Sequence, residues 1–365
     1  MIAASTAVQR PIDARVLVLD RLGQLHHLPR TSVADLFHAG DVVVANDVAT
    51  LPASLAGVHL PSGMEIEVRL AGRRSLSPDD VHRWIAVVFG RGDYHTRTED
   101  RALPPRLAAG DWLAMGPLVA QIEGLAGHSR LILLRFGGPA AAVWAGLAQH
   151  GRPIQYAHVA APLALWDVWT PFAAMPVALE PPSAGFALDW RTLDALRARG
   201  ATFVTLTLAA GISSTGDPEL DRLLPFDEPY IIPEVTARAL ERARGEHNRV
   251  IAVGTTVVRA LEHAVDRDGL VRAGPGVANQ RIGPETQLRV VDAILSGTHE
   301  PDTSHFQLLR AFASDDRLRI ATEELDALGY RTHEFGDSVF VERQPATRPA
   351  ASELPRNEPS LVSAA

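Results

Sequence analysis

The sequence predicts an α/β fold, with a mostly parallel sheet or barrel-like arrangement of strands and helices outside it, interrupted by a smaller all-β unit. From residue 190 onward, apolar or β-branched runs of strand length alternate with segments whose apolar residues have helical spacing. This alternation is typical of parallel sheets covered by helices. Between residues 54 and 153 the runs are short and are separated by Gly, Pro or charged turns, which favours a small β-barrel or sandwich.

The individual elements follow from local patterns. Strands are predicted at residues 15–19, 41–45, 65–70, 84–89, 131–136, 202–208 and 250–253, and helices at 33–38, 190–199, 233–244, from 257, 286–295, 304–312 and 317–328. We expect residues 1–12 to be unstructured and the Pro-, Ala- and Ser-rich residues 343–365 to form a disordered tail. The predicted domains are a discontinuous α/β domain (13–53 and 154–342) and an inserted β domain (54–153).

Composition narrows the function. The 365 residues include no cysteine, which excludes disulfides, thiolate catalysis and cysteine-ligated metals. No stretch has signal-peptide or membrane-span character, so we expect a cytoplasmic protein without a membrane partner, with a monomer as the default. The net charge of −8 does not favour a long nucleic acid. A local basic patch or a solvated surface would both account for a group of arginines, namely Arg69, Arg73, Arg74, Arg83, Arg91 and Arg97.

One turn has the features of a ligand site. The apolar run 250–253 ends at Gly254, and Thr255 and Thr256 stand where a helix begins. Free backbone N–H groups and the positive end of the helix dipole favour a carboxylate, phosphate or sugar oxygen there. Arg259, one helical turn later, could pair with a ligand carboxylate or, alternatively, with Glu262 on the helix surface.

Other polar residues are weaker candidates. Asn46 and Asp47 follow a predicted strand, where parallel α/β folds form sites, although an Asx turn would also explain them. Glu228 lies between two prolines and would be a general base if buried, or else a solvated carboxylate. Asp292 and His299 could orient a substrate or move a proton, while packing is the alternative for a lone histidine. No metal is expected, since His26 and His27 point apart on a strand and no His-Glu-x-x-His pattern occurs.

Several motifs, taken in order, resemble the S-adenosylmethionine:tRNA ribosyltransferase-isomerase family of queuosine biosynthesis. They are the Gly-Asp to Asn-Asp block at 40–57, Pro-Ser-Ala-Gly ending at Gly185, Ala-Val-Gly-Thr-Thr at 252–256, Val-Val-Asp to His at 290–299, and Tyr-Arg to Gly-Asp at 330–337. The resemblance covers about residues 15–342. It departs where the family carries four histidines, because this chain has Ala187, Thr207, Leu223 and Phe226.

The resemblance implies an enzyme with an inserted β-barrel domain that uses S-adenosylmethionine as a ribosyl donor. The family transfers and isomerises the ribosyl unit onto the aminomethyl group of a deazaguanine in tRNA, releasing adenine and methionine. By resemblance, Asp47, Glu228 and His299 are the catalytic candidates, and Asn46, Gly185, Gly254–Thr256, Arg259 and Asp292 bind the donor. Two alternatives stay open: the same chemistry on a free small-molecule amine or deazapurine, and a catalytically inactive protein that binds S-adenosylmethionine or an adenine nucleotide.

Overall fold

The computed structural model describes residues 1–93, 95–301 and 303–345, without the side chain of Glu99. The strands are β1 (Ile2–Ala3), β2 (Arg15–Leu19), β3 (Leu25–Pro29), β4 (Val42–Asn46), β5 (Val48–Thr50), β6 (Ser54–His59), β7 (Met64–Gly72), β8 (Arg83–Phe89), β9 (Trp112–Met115), β10 (Leu118–Leu125), β11 (Leu131–Phe136), β12 (Met175–Ala178), β13 (Thr202–Leu208), β14 (Glu228–Ile232), β15 (Val250–Val253), β16 (Gly274–Ala278), β17 (Ala293–Gly297), β18 (Arg331–Thr332) and β19 (Ser338–Glu342). The α-helices are α1 (Ala140–His150), α2 (Trp190–Ala198), α3 (Pro218–Asp221), α4 (Glu234–Gly245), α5 (Thr255–Ala264), α6 (Ser304–Leu309) and α7 (Asp315–Ala327), and 3-10 helices lie at Arg30–Leu36, Thr98–Asp100, Leu165–Asp167 and Ser183–Ala187.

A nine-stranded sheet forms the α/β part, in the order β16-β14-β13-β4-β15-β17-β19-β2-β3. Its centre, β13-β4-β15-β17, is parallel, and antiparallel pairs flank it on both sides. Side chains alternate between the two faces: Val42 and Val44 join one hydrophobic core, whereas Val43 and Ala45 join the other. Both faces are therefore covered, which explains why these strands read as continuous apolar runs. The mixed α/β class predicted from the sequence is confirmed.

The second unit is a closed barrel of six antiparallel strands, ordered β10-β11-β8-β7-β6-β9 and closed by the pairing of β9 with β10. Alternation along β7 places Ile66, Val68 and Leu70 in the barrel core. Helix α1 packs on this core through Val143 and Leu147. The sequence predicts either a barrel or a sandwich here, and the structure has the barrel. Closing the sheet in this way leaves no unpaired edge strand among the six.

Three sequence predictions are wrong in detail. Residues 1–12 include β1, which pairs with β18, and the buried side chain of Arg10. The helix predicted at 286–295 is instead an irregular segment followed by β17, because its β-branched and apolar end enters the sheet. The helix predicted at 33–38 is the 3-10 helix Arg30–Leu36. Most of the predicted tail, 346–365, lies outside the described residues. Among the helices described, none has the length and apolar character needed to cross a membrane.

The parallel centre of the sheet gives the molecule two distinct edges. At the carboxyl ends of β13, β15 and β17 the chain leads into a loop or a helix start, and after β4 it continues through Asp47 into β5. At their amino ends these strands are reached from α2, α4 and irregular segments. Ligands in open α/β sheets bind outside the carboxyl ends of the strands. We refer to these two sides as the carboxyl edge and the amino edge.

Candidate functional site

A cavity of about 420 Å³ opens at the carboxyl edge. Its walls come from the loop after β12, the loop after β13, the start of α5, and the segment from β17 into α6. Six residues predicted from the sequence line it: Glu228, Gly254, Thr255, Thr256, Arg259 and His299. The volume lies within the range of about 300–1,000 Å³ that small-molecule sites occupy.

The turn from β15 into α5 is built as the sequence predicts. Gly254 has a φ of +95°, which side chains other than glycine rarely adopt, and its N–H donates to the carbonyl of Leu295. A side chain at this position would also approach Ala184 in the opposite wall. No side chain caps α5 at Gly254. The first N–H groups of the helix, from Thr255 on, therefore face the cavity without an intrahelical acceptor.

Glu228 and Arg259 form a buried ion pair in the cavity wall. Arg259 also donates to the carbonyl of Ala278, and Glu228 accepts from the N–H of Gly211 at 3.1 Å. Burial raises the pKa of Glu228, and the guanidinium of Arg259 opposes that rise. The alternative partner predicted for Arg259, Glu262, instead accepts from the backbone N–H groups of 289–291. The two charges neutralise each other, and their further bonds to the backbone hold both side chains in place. We therefore interpret the pair as a structural part of the cavity wall.

Glu180 is a carboxylate that sequence reasoning missed. It follows β12 and lines the cavity, and its Oε2 accepts from the N–H of Ser213 at 3.1 Å. Burial, with a contribution from the charge of Glu228, raises the pKa of Glu180 to about 7. A carboxylate that titrates near neutrality is suited to general acid–base chemistry. The sequence signal was its place directly before the Pro-Pro-Ser-Ala-Gly motif.

Two imidazoles stack in the wall formed by β17 and α6. The rings of His299 and His305 lie 4.5 Å apart with an angle of 11° between their planes. Burial lowers the pKa of both, that of His305 to about 4. Both rings are therefore neutral at pH 7. A neutral ring pair offers an apolar flat surface with a hydrogen-bonding edge, which matches the requirements of a purine base.

Asn46, Asp47 and Gly185 lie beside the cavity but do not line it. The carboxamide of Asn46 donates to the carbonyl and accepts from the N–H of Leu208, and its Nδ2 is 3.5 Å from Thr256 Oγ1. Asp47 accepts from the hydroxyls of Thr205 and Thr207.

Gly185 is buried, and a Cβ there would come within 2.9 Å of Phe172 and Thr170. Asn46, Asp47 and Gly185 therefore support the walls of the cavity.

Asp292 is not brought to the cavity. It precedes β17, at the amino edge, where it pairs with Arg343 and accepts from the N–H of Val250. The error follows from the mistaken helix at 286–295: a strand between Asp292 and His299 carries the two residues to opposite edges of the sheet.

Four of the six grouped arginines in the barrel are buried or lie near a carboxylate. Arg69 and Arg73 are buried, and Arg69 pairs with Glu67. Arg83 pairs with Glu123, and Arg91 lies 3.5 Å from Glu65. Neutralisation by neighbouring carboxylates weakens attraction for a phosphate backbone.

The fold and the cavity define an α/β protein with an inserted antiparallel barrel and a cavity of small-molecule size at the carboxyl edge. The model of the queuosine biosynthesis protein family matches residues 1–341. The chain belongs to this family, as the resemblance of its motifs indicated.

Relatives across the full length carry one name, S-adenosylmethionine:tRNA ribosyltransferase-isomerase. The relative from Sorangium cellulosum is 32% identical, over 93% of this chain and 94% of that protein. A relative from Thermus thermophilus is 32% identical over 90% of this chain and 92% of its own length. The solved structure of S-adenosylmethionine tRNA ribosyltransferase from Thermotoga maritima aligns over 93% of this chain and 96% of its own, with 22% identity and a TM-score of 0.48.

Proposed function

We propose that this protein is an S-adenosylmethionine-dependent ribosyltransferase-isomerase that acts in the cytoplasm on an aminomethyl-deazaguanine in tRNA. The relatives' shared name and full-length similarity support the reaction type. The observation that carries the proposal is the cavity at the carboxyl edge, which combines a helix start, a flat neutral surface and a carboxylate with a pKa near 7.

The donor would lie between the helix start and the imidazole pair. Its methionine carboxylate or ribose hydroxyls accept from N–H groups at Thr255 and Thr256, and its adenine rests against His299 and His305. The helix start contributes only about 0.3–1 kcal/mol to such binding. Contact with the apolar part of the walls, which includes Ile212, supplies most of the affinity.

Glu180 is the proton-handling group that the cavity favours. The sulfonium of S-adenosylmethionine acidifies the neighbouring sugar carbon, so a base can begin the reaction there. Glu180 accepts from Ser213 and has no arginine bonded to it among the described residues, whereas both oxygens of Glu228 are engaged, one by Gly211 and one by Arg259. Because Glu180 titrates near pH 7, it can accept a proton from the sugar and return one as adenine leaves.

A second acceptor has support from the charges. The net charge of −8 and the carboxylate-paired arginines of the barrel favour a free deazapurine or small amine over a long nucleic acid. The two acceptors require the same donor chemistry. They differ in the surface that must contact the rest of the acceptor.

The test is to incubate the protein with S-adenosylmethionine and each of three acceptors in parallel, and to measure the released adenine by chromatography. These are tRNA carrying the aminomethyl-deazaguanine, the same tRNA lacking it, and the free base. We expect adenine with the modified tRNA and none with the unmodified control. Release with the free base alone would assign the second acceptor. Binding of S-adenosylmethionine without adenine release under any condition would leave a binding protein and contradict the proposal.

A further inference from the structure

A second group of polar side chains lies outside the cavity, around the turn that joins β18 to β19. It consists of His333 and Glu334 from that turn and His158 from the segment after α1. One ligand-type atom from each side chain lies within 4.8 Å of the other two. His158 is far in sequence from the adjacent residues His333 and Glu334, so no spacing motif reveals the group.

Two of these atoms are buried without a hydrogen-bond partner among the described residues. They are Nε2 of His158 and Oε2 of Glu334, which are 3.7 Å apart, too far for a hydrogen bond. Arg10, the guanidinium beside them, donates to the backbone carbonyl of Glu334 and not to its carboxylate. Buried polar atoms normally have partners, so two unpartnered atoms that face each other are placed to share one ligand.

The donor atoms of the cluster fit a cation. Oε2 of Glu334 and Nε2 of His158 are buried and unpartnered among the described residues. A carboxylate oxygen and an imidazole nitrogen both bind metal ions through a lone pair.

The ligand types indicate which cation. Two imidazoles and one carboxylate suit Zn²⁺, whereas Mg²⁺ and Ca²⁺ prefer oxygen ligands alone. With bonds of about 2.0–2.1 Å, tetrahedral ligand atoms lie roughly 3.3 Å apart, close to the 3.7 Å between His158 and Glu334. The rings of His158 and His333 stack at 4.4 Å, with 23° between their planes. A modest rotation of His333, which is 36% exposed, would bring its nitrogen into range.

We propose that His158, His333 and Glu334 bind a zinc ion, with water or a ligand atom in the fourth position. This inference does not rest on the proposed ribosyl transfer. Through Arg10, which also donates to the carbonyl of Ser183 in the cavity wall, the zinc site is connected to the cavity.

The experiment is a zinc titration of the full chain after treatment with a chelator, by competition with a chromophoric zinc indicator. We expect one saturable site per chain and a higher Tm with zinc than without. Three single variants test the ligands: His158→Ala, His333→Ala and Glu334→Gln. Each should weaken zinc binding at least tenfold, because losing even an outer-shell partner of a metal ligand costs about 10–100-fold.

The matched control is the double variant His26→Ala, His27→Ala, which removes two adjacent histidines on β3 and should leave the affinity unchanged. Glu334→Gln preserves the shape of the side chain, so its circular dichroism and metal-free Tm separate a lost ligand from a lost fold. No saturable binding to the wild type would overturn the proposal. So would zinc binding that all three variants retain, since that would mean an adventitious ion only.

Discussion

The two edges of the parallel sheet carry cavities of similar size and opposite character. The cavity at the amino edge has a volume of about 450 Å³, against about 420 Å³ at the carboxyl edge. Both are lined by arginines and carboxylates. The two cavities differ in how those charges are paired, and this difference indicates which cavity is the candidate ligand site.

At the amino edge the charges neutralise one another. Arg249 bonds Asp41 at 2.6 Å and Glu342 at 2.7 Å, and Arg343 pairs with Asp292. Asp41 also accepts from the N–H of 38, and Asp292 from that of 250. Such bonds tie strand starts to the segments before them. The amino edge is therefore a structural network in which each of these carboxylates has an arginine partner.

At the carboxyl edge the pairing is incomplete. Glu228 has Arg259 as its ion-pair partner, but Glu180, which lines the cavity, accepts from Ser213 and has a second carboxylate, Glu228, nearby. The result is a pKa of Glu180 shifted towards neutrality. A carboxylate that is desolvated and incompletely compensated costs the folded chain stability, which is typical of functional sites.

The substitution Glu180→Gln gives the largest expected effect on activity. If Glu180 moves the proton, adenine release should fall about 10²–10⁴-fold, while calorimetry shows S-adenosylmethionine bound as before. In the wild type, kcat/KM should fall tenfold for each pH unit below about 7 and be flat above it, since the base must be ionised. The variant should lose this dependence.

Asp292→Asn is the matched control from the amino edge. It removes a half-buried carboxylate that has an arginine partner, and adenine release at saturating donor should change by less than about twofold. A loss in Asp292→Asn as large as in Glu180→Gln would show that the two edges do not differ in function.

Arg259→Met and Arg249→Met together compare how much the ion pairs at the two edges contribute to the free energy of unfolding. It leaves Glu228 buried and unpaired, so the free energy of unfolding should fall by about 3–5 kcal/mol. The double variant Glu228→Gln, Arg259→Met should recover part of that loss. Arg249→Met, whose side chain is 25% exposed, should cost less. Urea unfolding of the four proteins is the measurement, and an equal cost for both single variants would contradict the distinction.

The sequence predicts the parts of the carboxyl edge that depend on local chemistry. Gly254 and the following threonines are recognisable because a positive φ and a helix start have strong residue preferences. The strands β4 and β15 are recognisable from their apolar runs. Family membership adds the barrel, whose closure depends on pairing between residues distant in the sequence.

Other features depend on long-range packing and leave little local signal. Glu180 gains its character only when β12 and the loop after β13 enclose it. Arg259 finds Glu228, 31 residues away, in place of the helical neighbour Glu262. Asp292 was misplaced because a short apolar run reads equally well as helix or strand.

The lost family histidines show the same limit. Asp47 bonds Thr207 where the resembled family carries a histidine. An imidazole enters the cavity from α6 instead, at His305.

A smaller effect is expected on the pH dependence of the free energy of unfolding, to which Glu180 contributes through its raised pKa. Its folded-state pKa is about 7 against an ordinary value of 4.5, so the folded state binds the proton more tightly. Stability is then fully present below about pH 4.5, declines as the pH rises to about 7, and is constant above. Glu180→Gln should therefore gain on the order of 2 kcal/mol relative to the wild type between pH 5 and pH 8. The measurement is urea unfolding of the wild type and Glu180→Gln across this pH range. A difference between the two proteins that does not change with pH would mean that the pKa of Glu180 is not raised.

The smallest effect concerns the helix start, the element that the amino-edge cavity lacks. Thr255→Val removes one hydroxyl with little change of volume, and a single neutral hydrogen bond contributes about 0.5–1.5 kcal/mol. Donor affinity should fall roughly two- to tenfold, since the backbone N–H groups that make the main contact stay in place. Thr322→Val, which removes a hydroxyl bonded within α7, is the control and should leave affinity unchanged. Calorimetry with S-adenosylmethionine decides between the two. If Thr255→Val binds like the wild type, the donor does not reach the hydroxyl, and the Thr255 side chain takes no part in holding it.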